Sequence, residues 1–411
     1  MNTSTHHPLK ILISTGDASG DTHALAVVEA LIKYHPTCEI KAIGNEKLAH
    51  HPCVSLIAHH QQVGMGQVGL MGLLNSLPAH LRLAQQTIAV CEAWHPDLIL
   101  LIDYGGYHLQ LAKRLNKQWK VAYYIPPQVW ASRPKRIQKI KQFVHHVFCI
   151  FPFEQTLYEQ AGIPVTYVGH PLMGQLPPPT SKKALCQQVG LDETRPVIGL
   201  FPGSRTAEIQ YCLPIIFASV PPLVKALAAL GLQPPQFVLA KASGLNASVL
   251  DKAIQQASFV LKGVPVKVVE HQNHAILSGA ELIIGASGTT TLEAALYKTP
   301  MVIAYKLDAF TAWIAKQVIK VPYLGLPNLL VSPEDAPILP ELLQDSFTPE
   351  AVVSVSVPLL DKTSAAYAKA MAGFETIATV LKLAETEVLS PAERVAVGIL
   401  ALASPPPSSS C

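Results

Sequence analysis

"DLILLIDYGGYH" (97–108) opens on an apolar run, Leu98 to Ile102, and ends in a single carboxylate, Asp103, followed by Gly105 and Gly106. An unbroken apolar run of this length reads as a strand buried on both faces, the pattern of a parallel sheet. The glycines then lead into a helix expected over 106–117. The stretch is therefore a strand–turn–helix unit with its one charge at the carboxyl end of the strand, where ligands bind in open α/β sheets.

The same alternation extends in both directions. "KILIST" (10–15), "CEIKAIG" (38–44), "KVAYYI" (120–125), "HVFCIF" (146–151) and "VTYVGHP" (165–171) read as strands. Helices are expected over 21–34, with Asp21 as the capping residue, and over 70–93, 134–143 and 152–162. "PLMGQLPPPTSKK" (171–183) interrupts the pattern with four prolines between 171 and 179. Beyond it the strands are "PVIGLFPG" (196–203), "QFVLA" (236–240), "VKVVE" (266–270), "AELIIGAS" (280–287) and "PMVIAY" (300–305), with helices near 207–230 and over 289–298. Strands separated by helices make βαβ units and parallel sheets. The expected division is a first domain over 1–175, a linker over 176–189 and a second domain over 190–365. A carboxyl-terminal helix over 366–400 would return to the first domain, and a disordered tail, 401–411, would follow.

A chain of 411 residues exceeds one hydrophobic core, which agrees with two domains. A net charge of +3 gives no ground for a nucleic-acid partner. The basic residues do cluster in "RPKRIQKIKQ" (133–142), either as a solvated helix face or as a surface for phosphate or membrane. Seven cysteines without a CxxC pair suit a reducing cytoplasm and no zinc site. The paired histidines, such as His145 and His146, point apart on regular backbone, so no metal site is expected. No secretory signal is read, and no window is read as reaching the roughly 18 apolar residues that span a bilayer. In "FTAWIAKQVIKVPYL" (310–324) apolar residues recur at helical spacing around Lys316 and Lys320. Core packing is the default reading of that stripe, and a lipid surface is the alternative.

Two turns carry the signature of anion sites. "LFPGSRTAEI" (200–209) places Gly203, Ser204 and Arg205 between a strand and a helix, where backbone N–H groups, the helix dipole and a guanidinium would converge. "GASGTTTLEAAL" (285–296) places Ser287, Gly288 and Thr289 at a second helix start, with Glu293 one turn in, suited to two hydroxyls of a ribose. Together they point to a nucleoside diphosphate; neither matches GxxxxGK[ST] or GxGxxG.

"TGDASGD" (15–21), "PPQVWASRPKRIQKI" (126–140), "FPFE" (151–154), "VGHPL" (168–172), "PGSRTAEI" (202–209), "ASGTTTLEAAL" (286–296), "TPMVIAY" (299–305) and "VPYLGLPNLL" (321–330) follow one another in this order. From about residue 10 to 345 the sequence resembles the lipid-A-disaccharide synthases, glycosyltransferases of GT-B architecture. The resemblance implies an α/β protein of two Rossmann-like, doubly wound parallel-sheet domains facing a cleft. The first would bind the acceptor and the second a UDP-sugar. It implies inverting transfer of 2,3-diacylglucosamine from UDP to the 6-hydroxyl of 2,3-diacylglucosamine 1-phosphate, in lipid A biosynthesis, with no metal or redox cofactor.

Asp103 is then the expected general base and Asp17 the rival; the competing reading of Asp103 is a helix cap. Gly203, Ser204, Arg205, Ser287, Gly288, Thr289, Glu293 and Asn328 are expected at the donor, with His271, Gln272 and His274 near the uracil. Gly16, Ser19, Gln128, Trp130, Arg133 and His170 are expected on the acceptor side, and Lys135 and Arg136 toward its phosphate or toward headgroups. Expected partners are the two acylated sugars and, peripherally, the cytoplasmic face of the inner membrane; a homodimer is a candidate assembly. The glycine-rich 64–74 is a candidate acyl groove or cleft loop. The chain departs from the family pattern with Asp17 in place of glutamate, Gly72 in place of glutamate, and Gly106 and His108 in place of an acid and an amide. "VSPEDAP" (331–337) replaces an Ala-Gly and basic stretch. These departures leave open a different lipid acceptor, an epimerase-like hydrolysis, or a non-catalytic UDP-sugar-binding protein.

Overall fold

The computed structural model describes residues 8–59, 70–242, 247–331, 336–382 and 389–403. The chain divides into two compact units, Met1–Gly174 with Leu381–Cys411, and Gln175–Val380.

In the first unit, β1 (Lys10–Ser14), β2 (Glu39–Gly44), β3 (Val54–His59), β4 (Leu98–Ile102), β5 (Val121–Tyr124), β6 (His146–Cys149) and β7 (Val165–Tyr167) form one sheet. The strand order is β3-β2-β1-β4-β5-β6-β7, all parallel. Every residue of β4 is buried, as its apolar run demands. The chain winds outward from β1 in one direction and from β4 in the other, so the crevice of this doubly wound sheet lies at the carboxyl ends of β1 and β4. Asp103 follows β4 there, and "TGDASGD" follows β1. Strand β3 is absent from the sequence reading: "VSLIAH" sits half-buried at the sheet edge, and its apolar run is broken by Ser55 and closed by His59.

The second unit repeats the plan. Strands β8 (Val197–Phe201), β9 (Gln236–Lys241), β10 (Val266–Glu270), β11 (Leu282–Gly285), β12 (Met301–Tyr305) and β13 (Glu341–Leu343) are parallel in the order β10-β9-β8-β11-β12-β13. Its switch point lies between β8 and β11, which are followed by the two glycine turns picked out above.

Several expectations change. Residues 182–189, expected in the linker, form a helix capped by Ser181. Over 366–400 there are two helices: Ala365–Leu381, almost wholly within the second unit, and Pro391–Ala403, which packs against Ala18–Tyr34 of the first and extends into the expected tail. One helix, Thr206–Ala229, does reach the length and apolarity of a membrane span. Its apolar residues, among them Ile209, Leu213, Ile216, Phe217 and Leu223, are buried in the unit's core against Pro349–Leu360, so core burial explains its composition. The helix Ala309–Val318 buries only Ala312, contrary to the default reading of its apolar stripe. Residues 64–69 and 404–411 lie outside the described residues.

Candidate active site

The turn after β4 is strained. Asp103 and Tyr104 are both in the left-handed region, with φ of +52° and +50°. Side chains other than glycine pay for this conformation with about 1–3 kcal/mol per residue, so something must hold it. The Asp103 carbonyl accepts from the Tyr123 hydroxyl at 2.6 Å and from His108 Nδ1 at 2.7 Å, while its N–H donates to Tyr124. Since Nδ1 faces a carbonyl it carries the proton, and Nε2 accepts from the Ser14 hydroxyl at 2.9 Å. Burial pushes the fully buried His108 down to about 4, keeping it neutral in that tautomer.

The carboxylate itself makes one short bond, from the Tyr104 N–H at 2.7 Å. It does not cap the helix Gly105–Leu115, whose cap position is Tyr104 with no side-chain bond. Burial, then the neighbouring Asp17, pushes Asp103 up to about 6. Asp17, the rival candidate, caps the helix Ala18–Tyr34, accepting from the Gly20 N–H at 2.8 Å. Asp21, expected as that cap, is instead buried one turn in, where it takes the Thr15 hydroxyl and the Asn45 N–H, both at 2.8 Å.

Glycine is required where these loops meet. A Cβ on Gly16 would stand 2.1 Å from the Tyr104 ring, and one on Gly105 would stand 2.3 Å from the Pro127 ring. A Cβ on Gly106 would meet nothing within 4 Å.

The remaining first-unit candidates lie at the same carboxyl edge. Trp130 donates to Glu154 at 2.9 Å and packs edge-on against Phe151 and Phe153. Glu154 also takes the Ile150 and Phe151 N–H groups, and burial pushes it up to about 7. His170 packs against Phe151 and is held neutral, pushed down to about 3, by burial and then by His23. Ser19, Gln128 and Arg133 are exposed, and Arg136 is half-buried. Tyr123 and Ser14 escaped the sequence reading because a single tyrosine or serine in a buried strand looks like ordinary core; Tyr104, in the turn, and Glu154, in the helix Pro152–Gln160, were not singled out either.

In the second unit the two glycine turns differ. Gly203 has φ +117°, and a Cβ there would strike the Glu208 side chain. The N–H groups expected to be free are occupied: Glu208 Oε2 accepts from Ser204 at 2.8 Å and from Arg205 at 3.2 Å. Its Oε1 accepts from Arg205 Nη1 and the Tyr305 hydroxyl, both at 3.1 Å. What this turn offers a ligand is the oriented Arg205 guanidinium. Glutamate three residues into a helix is a capping-box spacing, a signal present in "GSRTAE".

At the other turn, Gly288 opens the helix Thr289–Leu296 with no side-chain cap, and its missing Cβ faces open space. The first N–H groups of that helix are the natural anion seat. Ser287 is engaged by the Leu324 carbonyl at 3.0 Å. Glu293 is half-buried and raised by burial, with His274 acting against the shift. Among the described residues no three His, Cys, Asp or Glu side chains group as metal ligands.

This geometry can be set beside known proteins. The family model described as "Lipid-A-disaccharide synthetase" matches residues 11–393. The chain belongs to the lipid-A-disaccharide synthetase family. Curated lipid-A-disaccharide synthases share 35% identity over 346 residues in Trichlorobacter lovleyi (84% of this chain, 86% of the relative) and 34% over 376 in Pseudomonas savastanoi pv. phaseolicola (91% and 94%). In Coxiella burnetii the identity is 36% over 355 residues (85% and 89%). Among solved structures, a UDP-GlcNAc 2-epimerase from Neisseria meningitidis bound to UDP-GlcNAc superposes with a TM-score of 0.55 at 13% identity, covering 96% of this chain and 100% of the other. Medicago truncatula UGT71G1 complexed with UDP-glucose gives 0.57 at 12%, covering 97% and 99%. At such identities they show the fold, two parallel-sheet α/β domains of the kind found in glycosyltransferases and epimerases.

One donor-side expectation drawn from the lipid-A-disaccharide synthetase pattern changes. Asn328 is fully buried and held by three hydrogen bonds: its amide nitrogen donates to the Leu339 carbonyl at 2.9 Å and to Glu341 at 2.8 Å, and its oxygen accepts from the Leu339 N–H at 2.9 Å. Glu341 also takes the Leu324 and Gly325 N–H groups. Asn328 thus ties the 321–328 segment, and through Leu324 the Ser287 turn, to the edge strand. Asn328→Ala is expected to cost about 2–4 kcal/mol of stability and to leave UDP affinity intact by calorimetry. A large loss of UDP affinity in the folded variant would return Asn328 to the donor pocket.

Proposed function

We propose that this chain is an inverting glycosyltransferase that joins two acylated glucosamines. It moves 2,3-diacylglucosamine from UDP to the 6-hydroxyl of 2,3-diacylglucosamine 1-phosphate. The attacking oxygen bonds to the anomeric carbon from the face opposite UDP, its proton passes to the Asp103 carboxylate, and the bond to the diphosphate breaks. Arg205 and the helix start at Gly288–Thr289 take up the charge developing on UDP. Glu293 would accept the ribose hydroxyls. An apolar groove of about 320 Å³, lined by Ile209, Pro214, Val249 and Ala253 and by Thr206, the residue after Arg205, would take an acyl chain. Such substrates would be drawn from the cytoplasmic face of the inner membrane.

The observation that carries this reading is the strained, clamped Asp103 turn at a doubly wound switch point, within a family match that covers both units. The decisive experiment incubates the purified protein with both acylated sugars and reads the lipid product by mass. A tetraacyl disaccharide 1-phosphate is expected. Binding of UDP without that product would sink the acceptor assignment and point to the open position at Gly106, where the family carries an acid.

A further inference from the structure

The helix Ala309–Val318 follows β12 directly, at the carboxyl edge of the second sheet to which the loops after β8 and β11 also belong. Asp308 caps it through the Thr311 N–H at 2.9 Å. Phe310 and Trp313, one helical turn apart, are 60% and 61% exposed, with ring planes 20° apart and centroids separated by 6.4 Å. A stacked Phe–Trp pair left this open lies outside the unit's core, of which this helix contributes Ala312 alone. In sequence the half-buried Lys306 and the exposed Lys316 and Lys320 flank the pair, and none of the three forms a salt bridge to a carboxylate among the described residues. The one acidic group on the element, Asp308, is engaged in the cap.

We infer that this helix is a membrane-docking surface, with Phe310 and Trp313 entering the interface of an anionic bilayer and the three lysines meeting its headgroups. Tryptophan and phenylalanine on one face of a short helix, ringed by lysine, is the composition of an interfacial anchor. Charge chooses between bilayer and second copy. In a twofold contact the same surface meets itself, which would bring the two sets of lysines together, whereas anionic headgroups complement them. Docking here would set the carboxyl edge of the second sheet against the lipid from which an acylated donor is drawn. The inference rests on the lipid-substrate reading for its purpose, but its test needs no turnover.

The test is co-sedimentation of the full chain with vesicles of phosphatidylethanolamine and phosphatidylglycerol, and with phosphatidylcholine alone. The parent should bind the anionic vesicles and lose them in high salt. Phe310→Ser with Trp313→Ser, and separately Lys316→Glu with Lys320→Glu, should each weaken binding about tenfold or more while UDP affinity is unchanged. All four side chains are exposed, so the fold should tolerate the changes. Unaltered vesicle binding in both double variants would overturn the inference, as would conversion of a dimer to a monomer by Phe310→Ser with Trp313→Ser without change in vesicle binding. A parent that binds vesicles through this helix yet forms no disaccharide would keep the surface and sink the transferase reading. One that forms disaccharide in detergent but ignores vesicles would do the reverse.

Discussion

Asp103→Asn is expected to lower kcat by about two to four orders of magnitude and, at the same time, to make the protein more stable. The first effect follows from the proposed role: the amide keeps the size of the side chain but cannot take the proton of the attacking hydroxyl. UDP affinity should not move, because the donor loops belong to the other unit. The second effect follows from the raised acidity constant. A folded-state value of about 6 lies above the ordinary aspartate range, so between about pH 4 and 6 the folded protein binds the proton more tightly than the unfolded chain. Ionisation of Asp103 therefore costs stability that is fully present at low pH and lost as pH rises through 6. Removing the charge should recover about 1–2 kcal/mol at neutral pH, once partial solvation is allowed for. In the parent, kcat/KM should fall as pH drops below about 6, where the base becomes protonated, and that acid limb should be missing from the residual activity of the variant. Full turnover in Asp103→Asn, or an acid limb unchanged by it, would transfer the role to another group, with Asp17 first in line.

Arg205→Ala is expected to weaken UDP and donor binding about a hundredfold, the scale of a lost charge-assisted contact to a diphosphate. kcat should fall as well, since the same cation would stabilise the departing UDP. Glu208→Gln separates position from charge. The amide oxygen can still take the Ser204 N–H, whereas the ion pair that aims the guanidinium is lost. An intermediate effect is expected, larger on kcat than on UDP affinity. If Arg205→Ala bound UDP like the parent in calorimetry, the donor map would shift entirely to the Gly288 turn.

Much of the architecture was readable from the alternation of buried runs and helices, because strands covered on both faces must be continuously apolar. The edge strands β3 and β13 broke that rule: "VSLIAH" is half exposed and "ELL" is too short to show a period. The site was legible at its turns, where glycine, arginine and aspartate stand at strand ends, and much less so beneath them. Asn328 was expected in the donor pocket from the family resemblance, because a sequence does not show the three bonds that tie its amide to Leu339 and Glu341. The Ser204 and Arg205 N–H groups looked free because the acceptor that fills them, Glu208, lies a turn further on and resembles an ordinary surface glutamate. Tyr123 and Ser14 were invisible for the complementary reason, being polar atoms at the ends of otherwise apolar strands.

The way Asp103 is anchored has an evolutionary consequence. Both bonds to its carbonyl come from residues rooted in the first unit's own scaffold: Tyr123 in β5, and His108, itself tied to Ser14 in β1. Gly106, where a side chain would meet nothing within 4 Å, plays no part in that anchorage, whereas His108, which like Gly106 departs from the family pattern, does. With Asp103 as the proposed base, a lineage could change the residue at 106 to suit a new acceptor and leave the carboxylate where it is, while a change at 108 would release one of its two clamps.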